Sequence, residues 1–510
     1  MYNLGIIMTT LIKNVQIIDG TGISPFKGDV LVRDETIVAV GNFPNYKADT
    51  VISGNDAYLC PGFIDVNASS DRYLTLFSSP LHTNFITQGV TSILIGQCGF
   101  SLAPSLYGPL RHFTDWAPTS TINSNWSTVE ELLDSFEKSF SFGVNVGTLV
   151  GHKVIREDLL KDPRVWRPLT INELRIFRSI LSDALAQGAF GFSTGLGYYP
   201  YQQTTYHELR ALVEVVARSK GLYATHVRNE KADLFLSIQE AVKLAQDVSV
   251  RVLINHLRPF IGFESEFEKS LALIGDKAKE TDIHFSTNPF SYSVVPLDSF
   301  LLHDMHSWER YKILESLQDP AVVRLMIKSM PKINAREAII VHAPGIEFVN
   351  GMFLYDFAQN RQITIPQAII ALLQATKTRG FLFYENLNQD LIDKTILSDR
   401  ALIASNSPSI DASAKFYPER AKHTFSLFLD KASRSSLSIE AAIARLTGIP
   451  ARVIGLTKRG YIQSGAYADM VLLSKDFIPL RVWVNGKGVL EEGVAVARPQ
   501  TPYGRVLRKI

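Results

Sequence analysis

Eight short apolar runs, each ending in a small or polar residue, constrain the fold of this chain more than any other feature. They are GFIDV before Asn67, TSILIG before Cys98, NVGTLV before His152, AFGFST ending at Thr194, LYAT before His226, RVLIN before His256, DIHFST before Asn288 and ALIAS before Asn406. Continuous rather than alternating apolarity suits strands buried on both faces. Many of the segments between them read as helices. Thr170-Ile171-Asn172-Glu173 is a capping box, followed by Leu174, Phe177, Leu181 and Leu185 on one helical face, and Gly188 can close the helix. Thr205 to Glu208 repeats the start signal with Gly221 as the stop, and Ser127 to Glu130 gives a third start. Eight strand–helix units predict an α/β fold of the (β/α)8 barrel type. An open doubly wound sheet is the rival, weakened by the lack of a Gly-x-Gly-x-x-Gly after the first strand.

The chain ends have a different texture. Leu11 to Leu59 alternates, is rich in β-branched residues and is broken by Gly, Asn and Asp, and the C-terminal stretch through GYIQSG, ADMVLLS and PLRVWVNGKGVLEEG does the same. Both predict short antiparallel strands and hairpins. Residues from about 300 to 393 are too many for one crossover and are expected to hold an insertion with its own helices over the barrel mouth. The 52 basic and 50 acidic side chains create no net field for nucleic acid or an anionic membrane. Two cysteines, Cys60 and Cys98, exclude a disulfide framework and fit a reducing, cytoplasmic compartment. No apolar run reaches the roughly 18 residues of a membrane span. Met1 to Met8 lacks the basic region of a signal peptide, and Met8 is an alternative start.

In barrels of this type, chemistry gathers at the C-terminal ends of the strands. Cys98, His226 and His256 all fall there. Thiolate and imidazole are preferred zinc ligands, and three of them leave a fourth position for water or substrate. The competing reading makes Cys98 a small buried hydrophobe and the histidines structural hydrogen-bonders. His152, after another strand, suits support of a ligand from behind or a bond to backbone. His82, His112, His207, His303, His306, His342 and His423 read as structural or solvated.

The motifs resemble the N-acyl-D-amino-acid deacylases, the D-aminoacylase branch of the amidohydrolase superfamily. They include Pro61-Gly62-Phe63-Ile64-Asp65-Val66, Gln88-Gly89-Val90-Thr91, Gly96-Gln97-Cys98-Gly99-Phe100-Ser101 and Gly191-Phe192-Ser193-Thr194-Gly195-Leu196-Gly197-Tyr198. Tyr223-Ala224-Thr225-His226-Val227-Arg228-Asn229-Glu230, Arg459-Gly460-Tyr461-Ile462, Gly465 to Asp469 and Val484-Asn485-Gly486 continue the match nearly end to end. The resemblance implies a barrel (residues 60–456, insertion at about 300–393) beside a small β-sandwich domain built from residues 1–59 and 457–510. It implies zinc-assisted hydrolysis of an amide on a small N-acylated D-amino acid. Cys98, His226 and His256 match the family's tight zinc site, Tyr198 a tyrosine of the substrate pocket, and Arg420, more loosely, an arginine that grips the substrate carboxylate.

The departures are concentrated. The family's His-x-His reads Asn67-Ala68-Ser69, its catalytic Asp reads Asn406, and its Tyr-Pro-Tyr reads Asn288-Pro289-Phe290. A neutral amide cannot take a proton from water, so at most one zinc per chain and an altered or weakened activity are expected. Asp411 and Asp71 are candidate substitute bases. Three readings stay open on these residues: a mononuclear amidohydrolase, a non-catalytic barrel that binds a ligand or partner, and a structural relative that keeps the three residues for packing.

Overall fold

The computed structural model describes residues 8–509, leaving out 109, 114–115, 118, 121, 161–165, 199, 303, 306–307, 411–415 and 497–500. Asp411, His303 and His306 therefore lie outside the described residues, as do residues 1–7.

The fold is α/β. The apolar runs form parallel strands in chain order. Phe63–Asp65, Val90–Ile95 and Asn145–Thr148 make one sheet. Val150–Gly151, Gly191–Gly195, Leu222–His226, Arg251–Ile254, Ile283–Thr287 and Ala401–Ile403 make a second. One stretch of chain, 145–151, serves both sheets, interrupted only at Leu149. At the other ends, Asp65 Oδ2 accepts the Ser405 N–H at 3.1 Å, and the Ser69 N–H reaches Ser407 O at 3.0 Å. The first and eighth strand ends are thereby tied together. Val90–Ile95 is buried at every position, as a strand covered on both faces must be.

Helices cover these strands. The capping box at Thr170 and Glu173 is formed, and Phe177, Leu181 and Leu185 are buried behind it. The third start lies one residue later than the sequence pattern suggests: Thr128 and Glu131 close the box, because the Thr128 hydroxyl is the one that reaches the Glu131 N–H. At Thr205 the box is only half made. The Glu208 carboxylate turns inward to His152 and Arg156 instead of back to the cap.

Both chain ends enter one nine-stranded sheet. Thr9–Ile17 pairs with Tyr58–Pro61, which in turn pairs antiparallel with Met470–Leu473. Ile12, Val30, Leu59, Met470 and Trp483 share a hydrophobic cluster there. A third unit is an antiparallel sheet of Tyr292–Pro296, Ile339–His342 and Phe381–Glu385. Helices such as Ile365–Ala375 pack on it around Leu297, Ile340, Leu373 and Leu382, a core of its own. No described helix is long and apolar enough to cross a membrane.

Candidate metal centre

Three strand ends bring Cys98, His226 and His256 together. One ligand atom from each lies within 4.8 Å of the others, and all three residues are buried. Cys98 Sγ is 3.4 Å from His256 Nε2. The backbone is bent to present them: Cys98 has φ 56° and His256 φ 39°, both in the left-handed region that non-glycine residues seldom enter. Such strain persists only where the surroundings enforce it, and it concentrates at functional sites. Here the His256 N–H is held by Ser286 Oγ at 2.8 Å, and Gly99, next to Cys98, by Ser193 Oγ at 3.0 Å. Gly197 makes room for His226. A Cβ on it would stand 2.5 Å from His226 Nε2.

Glu230 organises the cluster and was not singled out by sequence reasoning. Its carboxylate is 3.1 Å from His256 Nδ1 and 3.3 Å from His226 Nε2, and it accepts two hydrogen bonds from Arg258 at 2.9 and 3.0 Å. The available signal was its place four residues after His226 within a quoted motif. A carboxylate behind a ligand histidine fixes the ring and raises its basicity.

The electrostatics match. Burial alone would raise the Cys98 thiol, but His256, His226 and Arg72 outweigh it and hold the thiol well below its ordinary range. Burial likewise opposes charge on His226, yet Glu230 and Cys98 lift its pKa to about 9. Before a cation binds, the set is thus a thiolate beside a protonated His226, whose proton a metal ion would displace, and His256 keeps a carboxylate on the nitrogen away from the sulfur. That donor chemistry fits zinc.

The second position is different. Asn67 is 1% exposed, and neither polar atom of its carboxamide has a hydrogen-bond partner among the described residues. Ser69 is buried, and Asn406, at φ 46°, offers its backbone oxygen to Arg420 Nε at 3.2 Å. These neutral groups do not fit a second metal ion. Arg420 opens the helix Arg420–Ser433 and is itself buried. Asp71 spends Oδ2 on the Gly96 N–H at 2.8 Å, two residues before Cys98, and burial lifts its pKa to about 6.

Tyr198 stands beside the cluster, its ring centroid 4.8 Å from that of His226. His152 faces elsewhere. Its Nε2 meets Glu208 at 2.8 Å and its ring stacks on Phe177, so it belongs to a buried ion network with Arg156. Two further residues were missed. Gln97 bonds Val66 O at 2.6 Å and receives Asn255 Nδ2 at 2.9 Å, linking the first, second and sixth strands beneath the cluster.

No family model matches the chain. A D-aminoacylase of Alcaligenes xylosoxydans xylosoxydans is 26% identical over 471 residues, covering 91% of this chain and 87% of that protein. The N-acyl-D-glutamate deacylase of Bordetella bronchiseptica, solved with zinc and a phosphonate mimic of the tetrahedral intermediate, is 24% identical. It superposes with a TM-score of 0.80 over 98% of this chain and 100% of its own. A D-aminoacylase structure described by one-metal activation and second-metal attenuation gives 23%, 0.80 and the same coverage.

Proposed function

We propose, from the premise that this chain belongs with the D-aminoacylase branch of the amidohydrolase superfamily, that it is a deacylase-type amidohydrolase. It hydrolyses the amide of an N-acyl-D-amino acid with one metal ion held by Cys98, His226 and His256. The observation that carries this reading is the buried thiolate–imidazole set with Glu230 behind it. The eight parallel strands, tied end to end through Asp65 and Ser405, support a closed (β/α)8 barrel over residues 60–456. The nine-stranded sheet supports a β-sandwich domain of residues 1–59 and 457–510, and the third sheet supports an insertion at about 300–393.

The donor set selects zinc, which when bound supplies Lewis acidity toward the amide carbonyl and the attacking water. Glu230 holds the His256 imidazole with Nε2 toward the thiolate. Arg420, buried and donating from Nε to the backbone oxygen of Asn406, would receive the substrate carboxylate. Proton transfer is the weak step. Asn406 cannot act as a base, and Asp65, Asp71 and Glu230 are committed to Ser405, Gly96 and Arg258. Loss of a general base typically costs about 10²–10⁴ in rate, so turnover is slow for this class.

The test is elemental analysis of protein purified without chelator, followed by assay on N-acetyl-D-amino acids and their L-enantiomers. About one zinc per chain, lost in Cys98→Ala, with D-selective release of the free amino acid, is expected. Protein that takes up no zinc and releases no amino acid overturns the reading in favour of a barrel that only binds.

A further inference from the structure

Arg72 is a cation beside the site whose charge faces the Cys98 thiol and Tyr198 rather than a paired carboxylate. Its guanidinium donates from Nη1 to Tyr198 Oη at 3.2 Å and from Nη2 to Gln97 O at 3.3 Å. It lies over the rings of Phe100 and Trp116, 4.7 and 5.0 Å from their centroids. No described carboxylate stands within ion-pair distance, since its neighbour Asp71 is turned to Gly96. Two hydrogen bonds and two aromatic faces therefore fix a full positive charge against Tyr198. That tyrosine packs edge-on against His226, one of the three clustered residues.

Hydrogen-bond accounting gives this arrangement a direction. An arginine only donates, so Tyr198 Oη accepts from Arg72 and keeps its own proton for another acceptor. A donor polarised from behind donates more strongly. In amide hydrolysis, water adds to the carbonyl carbon and the carbonyl oxygen gains negative charge. The C–N bond then breaks, and the amine leaves with the proton that the water gave up. The oxygen needs positive charge or fixed donors, and Asn67, Ser69 and Asn406 leave the second metal position without a cation.

We infer that Arg72 supplies that missing charge through Tyr198, as a positioning residue that makes the phenol hydroxyl a fixed oxyanion donor. This rests on the deacylase reading above. A preorganised donor is worth about 10²–10³ in rate when removed.

The test uses the full-length, zinc-loaded chain, N-acetyl-D-amino acids, and a methylphosphonamidate analogue of the substrate that turns over fastest. Arg72→Gln and Tyr198→Phe are each expected to cut kcat by about 10²-fold and to weaken phosphonamidate binding by a similar factor, with KM moving less than about threefold. The double variant should be no worse than either single one, and zinc per chain, measured at saturating zinc, should stay the same. Arg72→Lys, which keeps the charge but reaches one acceptor, should retain part of the rate, and serves if the glutamine variant fails to fold. Multiplicative losses in the double variant, a change confined to KM, or loss of zinc on changing Arg72 would overturn the inference. An active parent with an unaffected Arg72→Gln sinks this inference alone. A parent that neither turns over any substrate nor binds the phosphonamidate sinks the deacylase reading as well.

Discussion

Glu230→Gln isolates the group behind the metal centre. In the structure one carboxylate serves both histidines, at 3.1 and 3.3 Å, and carries two bonds from Arg258. Glutamine keeps the shape and one acceptor oxygen, but it turns an NH2 toward a donor and removes the charge. Changing a partner behind a single ligand typically costs 10–100-fold in metal affinity. Because two of the three ligands lose the same partner, the loss should lie near the upper end, about 2.7 kcal/mol. Competition of the apo-protein with a chromophoric chelator for zinc, at one fixed pH, reads this directly. Glu240→Gln is the control. Glu240 pairs with Arg228 at 2.7 and 3.2 Å and touches no cluster residue, so its effect should stay within about threefold. Equal affinities for the parent and Glu230→Gln, within that same margin, would show that the histidines are oriented by something else.

Three further outcomes are expected. Gly197→Ala places a methyl 2.5 Å from His226 Nε2, so zinc per chain should fall sharply while the thermal unfolding of the apo-protein changes little. His82 is 1% exposed, and burial holds its pKa down to about 4. Below about pH 6.5 the unfolded chain takes up a proton that the folded chain refuses, so stability present above that pH is lost as pH falls toward 4, by ~3 kcal/mol. Denaturant titrations between pH 7 and 4 should show this slope, and His82→Asn, which tolerates the left-handed φ of 52° there, should flatten it. Finally, Asn67→His, Ser69→His and Asn406→Asp together should raise zinc uptake to two per chain and increase hydrolysis of N-acetyl-D-amino acids. A triple variant that binds two ions without gaining rate would place the block elsewhere, for instance at Asn288.

The parallel strands were legible because fully buried strands leave continuous apolar runs, and the three metal-binding candidates because they follow those runs directly. Helix starts were legible to within a residue: Ser127 and Thr128 are equally good caps in sequence, and only the backbone decides between them. The supporting shell was hidden for a different reason. Glu230, Arg72, Gln97 and Asn255 are polar residues in loops, where a sequence gives solvated side chains as the default, and their roles depend on where other strands end. His152 shows the converse. Its position after a strand suited either support of a ligand or a bond to backbone, but the Glu208 that holds it is 56 residues away, on a helix whose cap it was expected to complete.

The sheet shared by the two chain ends sets an order of events during synthesis. Cys60 and Val471 are register partners separated by 411 residues. At about 5–20 residues per second, the N-terminal strands wait roughly 20–80 s for the strands that complete them. Throughout that interval the Tyr58–Pro61 edge has no Met470–Leu473 beside it, while the segments carrying Cys98, His226 and His256 emerge from the ribosome. The terminal sheet is therefore a late clasp on a chain whose middle has already had time to collapse. Ribosome-bound chains that stop short of Met470 are the species in which that edge is open to a chaperone or to a neighbouring nascent chain.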